Sequence, residues 1–278
     1  MVISVASGKG GTGKTTIAIN LALSLKNAQY VDCDVEEPNG HIFLKPKIKE
    51  RLSVGIPVPQ VDDSKCTYCG MCAEACEYNA IVVVKERVLV FPELCHGCGG
   101  CSYVCPADAI KEVEREIGVI EKGMAGNIEF VHARLNVGEP MAPPLIRKEK
   151  NFINDSKTTI IDSPPGTSCP VVESVEGTNF CILVTEPTPF GLNDLKLAVG
   201  MVRILDIPFG VVINLSDIGT REVWDYCSQE NIPVLMEIPY NRRIAELYSK
   251  GIPLTEVLTE YKDKLSKLYD YVSSKITP

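Results

Sequence analysis

The feature that most constrains how this chain folds is a glycine-rich loop at residues 8–15. It reads Gly8-Lys9-Gly10-Gly11-Thr12-Gly13-Lys14-Thr15, between an apolar strand-like run at 2–6 and a helix-like run at 16–25. A strand, this loop and a helix in that order, with the spacing G-x-x-x-x-G-K-[ST], are the pattern of a phosphate-binding P-loop. The sequence therefore predicts a nucleotide site, in preference to a glycine-rich turn that merely precedes a helix.

Each residue type in the loop has a physical role in holding phosphate. Glycines let backbone N–H groups curl around phosphate oxygens, and the N-terminus of the following helix adds a favourable dipole. Lys14 is expected to reach the β- and γ-phosphates of ATP, and the Thr15 hydroxyl to ligate Mg²⁺. The predicted nucleotide-binding residues of the loop are Gly8, Lys9, Gly10, Gly11, Thr12, Gly13, Lys14, Thr15 and Thr16.

A second lysine, Lys9, lies inside the loop, where a general P-loop has none. With it the loop resembles that of the MinD/ParA/Mrp family of deviant P-loop ATPases, which includes the nitrogenase iron protein and reads G-K-G-G-[TV]-G-K-[ST]. In that family the first lysine crosses a dimer interface and touches the phosphates of the partner's ATP. The resemblance implies that Lys9 and Lys14 are catalytic, in a homodimer formed through the nucleotide interface. A solvated lysine on a loop is the alternative for Lys9.

Two acidic motifs resemble the switch regions of the same family. Asp32-Cys33-Asp34 resembles the D-x-D of the first switch, which implies that Asp34 positions the attacking water while Asp32 supports Mg²⁺ and the loop. The segment 162–166 resembles the D-x-P-P-G of the second switch, which implies that Asp162 holds Mg²⁺. A D-x-D at a strand end is also common turn chemistry. The P-loop upstream favours the catalytic interpretation.

Strand-like and helix-like runs alternate through the later part of the chain. Apolar runs at 158–162, 181–185, 210–213 and 234–238 surround a helix-like stretch at 192–205, as expected of βαβ units. The predicted fold is a doubly wound parallel α/β sheet. Asn214 and Pro239 each follow one of these strands, and the resemblance implies that both touch the adenine base. Asn214 could instead be a turn residue.

The middle of the chain contains one cysteine motif twice, with every cysteine displaced by 29 positions. Both copies fit C-x2-C-x2-C-x3-C, the run of bacterial ferredoxins with two [4Fe–4S] clusters. Three closely spaced thiolates can wrap one face of a cubane, and the fourth then points to the other cluster. The expected ligands are Cys66, Cys69, Cys72 and Cys105 for the first cluster, and Cys95, Cys98, Cys101 and Cys76 for the second.

The first run has Glu77 where proline is usual, a change that leaves ligation intact. A pair of structural zinc sites is the alternative, since zinc needs only four ligands at each site. Eight cysteines in the ferredoxin pattern favour iron–sulfur clusters. We expect His96 to be a surface residue and not a ligand. The runs at 81–84 and 88–91 are expected to complete the sheet of a small α+β domain.

The change in composition at 56–63 predicts a linker. This linker marks where one predicted domain ends and the next begins. The ATPase domain is expected at 1–58 and 114–278, and the inserted ferredoxin-like domain at 59–113. Within 114–150 the runs at 117–121 and 128–131 suggest a hairpin. No chemistry is assigned to His132 or Arg134.

Charge and hydropathy limit the classes of partner. A net charge of −8 and a pI near 5.1 argue against nucleic acid. No apolar run approaches the roughly 18 residues of a membrane span, and the apolar positions from Tyr261 to Ile276 indicate a packed terminal helix, not a membrane-binding one. The twelve cysteines fall mostly in tight runs, unlike a secreted disulfide scaffold, so a cytoplasmic protein with reduced thiols is expected.

Two classes of function follow from these patterns. The first is an ATP-binding and ATP-hydrolysing iron–sulfur protein, a nucleotide-gated homodimer that transfers electrons or assembles iron–sulfur or metal cofactors with a redox or metallocluster partner. The second is a MinD-type positioning ATPase with clusters as structural or redox-sensing elements. Cys169, in the second switch, is similar in spacing to a cluster-holding cysteine of the nitrogenase iron protein, and a small buried hydrophobe is the alternative.

Overall fold

The computed structural model describes residues 1–276, which form two compact units. The first unit comprises Met1–Arg51, Ile120–Arg134 and the chain from Ile146 onward. The second unit comprises Leu52–Val119 and Leu135–Leu145. The domain boundaries expected from the sequence remain a prediction.

Eleven strands and eleven α-helices occur within residues 1–276. The strands are β1 (Val2–Ser7), β2 (Ala28–Asp32), β3 (Lys47–Val61), β4 (Ile81–Val83), β5 (Val88–Val90), β6 (Ile110–Ala125), β7 (Ile128–Leu135), β8 (Thr158–Pro165), β9 (Phe180–Thr185), β10 (Phe209–Asn214) and β11 (Val234–Ile238). The helices are α1 (Lys14–Ser24), α2 (Gly40–Leu44), α3 (Met71–Glu74), α4 (Gly100–Tyr103), α5 (Pro143–Lys150), α6 (Cys169–Val175), α7 (Pro189–Ile204), α8 (Glu222–Gln229), α9 (Arg242–Ser249), α10 (Leu254–Val257) and α11 (Thr259–Ile276).

The central sheet of the first unit is parallel, as the sequence predicts. Seven strands lie in the order β11-β10-β9-β1-β8-β2-β7, and each neighbouring pair in this series is parallel. The strand order continues with β6 and β3. β1 lies between β8 and β9, so the loop after β1 is placed at the centre of the edge where the parallel strands end. Ligands of open α/β sheets bind at this edge.

Helices cover both faces of this sheet. On one face, α1 and α11 pack against buried strand residues such as Tyr30 and Phe130. On the other face, buried residues of α6, α7 and α8 form a second core cluster with β9 and β10. Both cores are apolar, and the doubly wound architecture is confirmed. None of the helices within residues 1–276 has the length and apolarity needed to cross a bilayer.

The predicted linker at 56–63 is wrong for most of its length, because residues up to Val61 belong to β3. Val54, Ile56 and Val58 are buried at alternate positions, which is the signature of a strand. Pro57 and Pro59 suggested a linker because neither can donate a backbone hydrogen bond. β3 is the last strand in the order of the sheet, and prolines are tolerated on such an edge strand.

The predicted hairpin in the 114–150 region is present. β6 and β7 are neighbours in the sheet and are joined by Gly126 and Asn127. Gly126 has a φ of +61°, the left-handed conformation that a tight turn needs. The sequence did not show that β7 also pairs in parallel with β2, which places His132 opposite Asp32.

The 29-residue repeat of the cysteine runs is also a repeat of backbone conformation in the second unit. The four-residue helices α3 and α4 begin at positions 29 apart. Positive φ angles recur at the same offset, at Tyr68 and Gly97, at Gly70 and Gly99, and at Asn79 and Asp108. The predicted strands appear as β4 and β5, which pair in antiparallel register. The two cysteine runs are therefore two copies of one supersecondary unit.

Candidate functional site

The glycine-rich loop lies between the end of β1 and the start of α1, beside a cavity of about 470 Å³. Gly13 has a φ of +93°, and a Cβ there would lie 2.7 Å from Nδ2 of Asn214. A Cβ on Gly8 would lie 2.2 Å from the backbone oxygen of Asp194. Close packing therefore requires glycine at both positions. The positive φ is a second reason for glycine at Gly13.

Most of the residues predicted to bind the nucleotide line this cavity. Those that line it are Gly10, Gly11, Gly13, Lys14, Thr15, Thr16, Asp34, Asn214 and Pro239. The other predicted residues of the site, Gly8, Lys9, Thr12 and Asp162, belong to the loop and to β8 next to it. The Thr12 hydroxyl is buried without a hydrogen-bond partner in the part of the chain that the structure describes. A polar ligand in the loop would satisfy it, so the loop fits a nucleotide.

Lys14 is held by the acid of the second switch. Its Nζ donates to Oδ1 of Asp162 at 2.7 Å, and the Tyr30 hydroxyl donates to Oδ2 of the same carboxylate at 3.0 Å. Burial acts to lower the pKa of Lys14, but the nearby carboxylates, Asp162 foremost, together outweigh burial, and the pKa is raised overall. Lys14 is therefore charged. If it binds phosphate, as the sequence predicts, it must leave Asp162 when a nucleotide binds.

Asp32 holds the backbone of the first switch through hydrogen bonds. Its carboxylate accepts hydrogen bonds from the backbone N–H groups of Asn39 and Gly40, at 3.1 and 2.8 Å, and so fixes the start of α2. Burial, with the charge of Asp162, raises the pKa of Asp32 to about 8. Burial also raises the pKa of Asp34 to about 6, opposed by Lys14.

Three carboxyl groups therefore lie near a single buried lysine. Carboxylate and hydroxyl oxygens are the ligands that Mg²⁺ prefers, and a divalent cation would compensate the crowded negative charge. The residues present at this site fit Mg²⁺, with Thr15 and Asp162 as the expected ligands.

Lys9 lies at the rim of the site. Its Nζ is 3.1 Å from Oε2 of Glu186, which follows β9 and lines the cavity. The Lys9 side chain remains about one-third exposed, at 32%. Sequence reasoning missed Glu186, although its place after a parallel strand is a signal for a ligand-binding position.

The far end of the cavity is apolar and is formed by the region after β11. Asn214 donates from Nδ2 to the backbone oxygen of Thr12 at 2.9 Å, so it also holds the glycine-rich loop in place. Pro239 follows β11, the parallel neighbour of β10, and Ile244 and Tyr248 of α9 add apolar surface. The sequence predicts that the adenine base binds at this end. The two α9 residues were not predicted from the sequence.

In the second unit, four cysteines line one cavity, three from the first run and one from the second. Cys66, Cys69 and Cys72 of the first run and Cys105 of the second all line it. This set is the one expected for the first cluster, with the fourth cysteine supplied by the other run. All twelve cysteines of the chain are free. No three His, Cys, Asp or Glu side chains within residues 1–276 are close enough to form a ready metal site.

Hydrogen bonds to the cysteine sulfurs follow the same repeat. The backbone N–H two residues after Cys66 donates to its Sγ at 3.4 Å, and the same bond occurs at Cys95. The N–H four residues after Cys76 donates to its Sγ at 3.3 Å, and the same bond occurs at Cys105. Such bonds stabilise thiolates and tune iron–sulfur clusters. The donor set and its surroundings therefore fit iron–sulfur ligation.

The remaining predicted cysteines take several positions. Cys95 is buried and lies 4.0 Å from the backbone oxygen of Pro57, whereas Cys98 is exposed. Cys76 and Cys101 are half-buried. Cys169 is exposed at the start of α6, which excludes the interpretation of it as a small buried hydrophobe. His96 is a surface residue, as expected.

Known proteins similar to this chain agree with the fold. An uncharacterized protein of Methanocaldococcus jannaschii is 32% identical over 278 residues, which cover 97% of this chain and 95% of that protein. An iron-sulfur cluster carrier protein of Rickettsia conorii is 28% identical, over 93% of this chain and 67% of its own length. The solved structure of the septum site-determining protein MinD of Pyrococcus horikoshii, complexed with Mg-ADP, has a TM-score of 0.61 at 20% identity, and the alignment covers 98% of this chain and 95% of that one.

The family match extends over most of the chain. The profile of the CobQ/CobB/MinD/ParA nucleotide binding domain matches residues 3–254, which include the glycine-rich loop, both switch motifs and the apolar end of the cavity. The chain therefore belongs to the CobQ/CobB/MinD/ParA family and is a P-loop ATPase.

Proposed function

We propose that this ATPase is an iron–sulfur protein that acts as a nucleotide-gated homodimer, in electron transfer or in the assembly of iron–sulfur or other metal cofactors. The observation that carries the proposal is the cavity lined by Cys66, Cys69, Cys72 and Cys105. A fourth cysteine from the other run is what two-cluster ferredoxins require. The proposal includes two [4Fe–4S] clusters in an inserted ferredoxin-like domain at 59–113.

Two further observations support cluster binding. The N–H to sulfur bonds repeat in both runs, so both sites have the same local support for thiolate ligands. The curated relatives at 25–28% identity include proteins named as iron-sulfur cluster carriers. From these two observations together we infer that this chain handles iron–sulfur clusters.

The protein's own residues have defined parts in ATP hydrolysis. Lys14 leaves Asp162 to bind the phosphates, and Asp162 and Thr15 are then free to hold Mg²⁺, which neutralises phosphate charge. Asp34, with a pKa of about 6, is ionised at neutral pH and can accept a hydrogen bond from the attacking water. Lys9 is held by Glu186 within one chain and is released to reach the nucleotide of the partner in the homodimer.

The test of cluster binding is iron and sulfide analysis of protein purified without oxygen. The wild-type chain should contain roughly eight iron and eight inorganic sulfide atoms if both sites hold [4Fe–4S]. Cys105→Ser should lose about half of each. Cys227→Ala, a change at a buried cysteine in the core of the first unit, is the control and should retain the full amount.

Double variants establish which cluster Cys105 serves. Cys105→Ser with Cys69→Ser should retain half of the iron, because both changes affect the same cluster. Cys105→Ser with Cys98→Ser should lose nearly all of it. The reverse pattern would disprove the crossed ligation. A wild-type chain without sulfide would disprove the cluster proposal and favour zinc or a positioning ATPase.

A further inference from the structure

The carboxylate of Asp162 is held by two side chains, and a bound nucleotide would draw away only one of them. Nζ of Lys14 donates to Oδ1 of Asp162 at 2.7 Å, and the Tyr30 hydroxyl donates to Oδ2 at 3.0 Å. Lys14 belongs to the glycine-rich loop and leaves Asp162 if it binds phosphate. Tyr30 belongs to β2, so its hydrogen bond to Asp162 does not compete with phosphate binding.

The Tyr30 ring is fixed by its neighbours. Tyr30 is 0% exposed, and its ring stacks on that of Phe130 with centroids 5.9 Å apart and planes 12° from parallel. Gly40 also lies against the ring. A Cβ on Gly40 would lie 2.5 Å from Cε1 of Tyr30 and 2.6 Å from its hydroxyl oxygen. A ring packed this closely keeps its hydroxyl in place when Lys14 leaves.

The contact with Gly40 brings the first switch to the same hydroxyl. Gly40 begins α2, and its backbone N–H donates to Oδ2 of Asp32 at 2.8 Å. Asp32 therefore holds Gly40, and Gly40 packs against Tyr30. The Tyr30 hydroxyl lies between a fixed part of the first switch and the acid of the second switch.

A carboxylate that ligates a metal ion needs another group to orient it. Groups that hydrogen-bond to metal ligands supply this orientation, and their loss typically costs about 10- to 100-fold in metal affinity or activity. The oxygen of Asp162 that Lys14 leaves is Oδ1, whereas Oδ2 keeps its bond to Tyr30. Tyr30 can therefore hold the carboxylate while Oδ1 is free for Mg²⁺.

We propose that Tyr30 is a positioning residue for the Mg²⁺ of this ATPase: its hydroxyl keeps Asp162 oriented for the metal once Lys14 has moved to phosphate. The inference rests on one part of the proposed function, because it requires Asp162 to hold Mg²⁺. It does not depend on the iron–sulfur clusters.

The test measures binding of the non-hydrolysed analogue AMPPNP to the full chain by calorimetry, once with excess EDTA and once with excess Mg²⁺. The ratio of the two dissociation constants reports how much Mg²⁺ tightens binding. Tyr30→Phe removes one oxygen atom and retains the ring. It should lower this ratio by roughly 10-fold. Binding in EDTA should change little, because Lys14 and the glycine-rich loop remain.

Tyr269→Phe is the matched control. The Tyr269 hydroxyl lies 3.1 Å from the hydroxyl of Thr158, the first residue of β8. This change therefore also removes a tyrosine hydroxyl that is bonded to β8, but four residues before Asp162. The control should keep the wild-type ratio.

Asp162→Asn separates the possible failures, since it should lower the ratio at least as far as Tyr30→Phe does. A wild-type ratio in Asp162→Asn, or a wild-type chain whose binding Mg²⁺ does not tighten, would overturn the role of Asp162 as well as this inference. If Asp162→Asn lowers the ratio and Tyr30→Phe does not, this inference alone fails. Equal weakening by Tyr30→Phe with and without Mg²⁺ would also overturn it. The iron and sulfide content tests the cluster proposal separately.

Discussion

The nucleotide site contains more acidic than basic side chains. Asp32, Asp34 and Asp162 approach one buried lysine, and burial raises the pKa of Asp32 to about 8 and that of Asp34 to about 6. A carboxyl group whose pKa is higher in the folded state binds more protons there than in the unfolded chain. Its contribution to stability therefore falls as the pH rises from its unfolded pKa, near 4, through its folded pKa.

For Asp34 this predicts a change that depends on pH. Asp34→Asn should raise the free energy of unfolding of the nucleotide-free protein at pH 7.5 and leave it nearly unchanged near pH 4. The difference between variant and wild type cancels groups with the opposite sign, such as His132, whose pKa is lowered by burial. Chemical unfolding at several pH values measures it. A difference that does not change with pH would contradict the raised pKa of Asp34.

Lys9 and Lys14 are expected to have separable roles. Lys9→Ala should bind ATP but hydrolyse it slowly, because a positive group supplied by a partner contributes about 10³–10⁵ to the rate. Lys14→Ala should bind ATP poorly. Binding and turnover are measured on the same preparations. Activity per chain that is constant on dilution through the range where dimers dissociate would refute the requirement for a homodimer.

The Lys9–Glu186 pair provides a second test of the same interface. A partly exposed ion pair is worth about 0.2–1 kcal/mol, and Lys9 must give it up to reach a partner. Both chains of a dimer give up this pair, so Glu186→Gln should strengthen ATP-dependent dimerisation by roughly 2- to 30-fold. Sedimentation with a non-hydrolysed ATP analogue measures this, and Glu222→Gln, on the surface at α8, is the control. Weaker dimerisation in Glu186→Gln would mean that Glu186 itself contributes to the interface.

At the scale of elements, α11 illustrates how a helix is held by one apolar face. Tyr261, Leu265, Leu268 and Val272 are buried in the core that α1 also contributes to. Leu268→Ala should reduce the free energy of unfolding by about 2–5 kcal/mol, the usual result of a cavity in a packed core. Lys267→Ala, one residue earlier and exposed, should change it little. Equal effects of the two changes would show that α11 is not part of the core.

Elements with a strong local pattern were predictable from the sequence. β1, the glycine-rich loop and α1 follow from residues 2–25, because apolar periodicity and glycine spacing are local properties. β3 was not, because Pro57 and Pro59 hide the alternation of Val54, Ile56 and Val58. Whether a proline is tolerated depends on the position of the strand in the sheet, which the sequence alone does not reveal.

Contacts between distant parts of the chain were the least predictable. The Tyr30 hydroxyl bonds to Asp162 across 132 positions of sequence, and nothing local distinguishes this tyrosine from others. The stacked rings of Tyr78 and His96 have the same character, although the 29-residue repeat locates both rings next to cysteines. The cavity lined by Cys66, Cys69, Cys72 and Cys105 was predictable, because this spacing is the pattern of a cubane site. Cluster ligation by the eight cysteines stays a prediction.

For the whole molecule, the order of parts along the chain relates the cysteine runs to the nucleotide. Both runs lie between Asp34 of the first switch and Asp162 of the second. β3 and β6 each begin in one of the two compact units and end in the other. Switch segments of P-loop proteins change conformation with the γ-phosphate. We therefore expect the nucleotide state to influence the proposed clusters through the segments of chain that lead to and from the cysteine runs.

The expected size of this influence can be stated as a shift in potential. Coupling free energies between sites are about 1–3 kcal/mol. For a one-electron couple, with about 59 mV for each tenfold change, this corresponds to roughly 40–130 mV. We predict a shift of this size between the nucleotide-free and the Mg·ATP-bound dimer, or an equivalent change in affinity for a redox or metallocluster partner. Reciprocity requires that reduction of the clusters change the affinity for ATP by the same factor.

An anaerobic redox titration of the wild type and of Lys14→Ala, each with and without Mg·ATP, measures this coupling. Only the wild type with Mg·ATP should differ, since Lys14→Ala retains the clusters but binds ATP poorly. A shift that also appears in Lys14→Ala would point to an effect of Mg·ATP that does not pass through the glycine-rich loop. Four identical potentials, together with partner binding that does not depend on the nucleotide, would mean that the nucleotide site and the clusters are not energetically coupled.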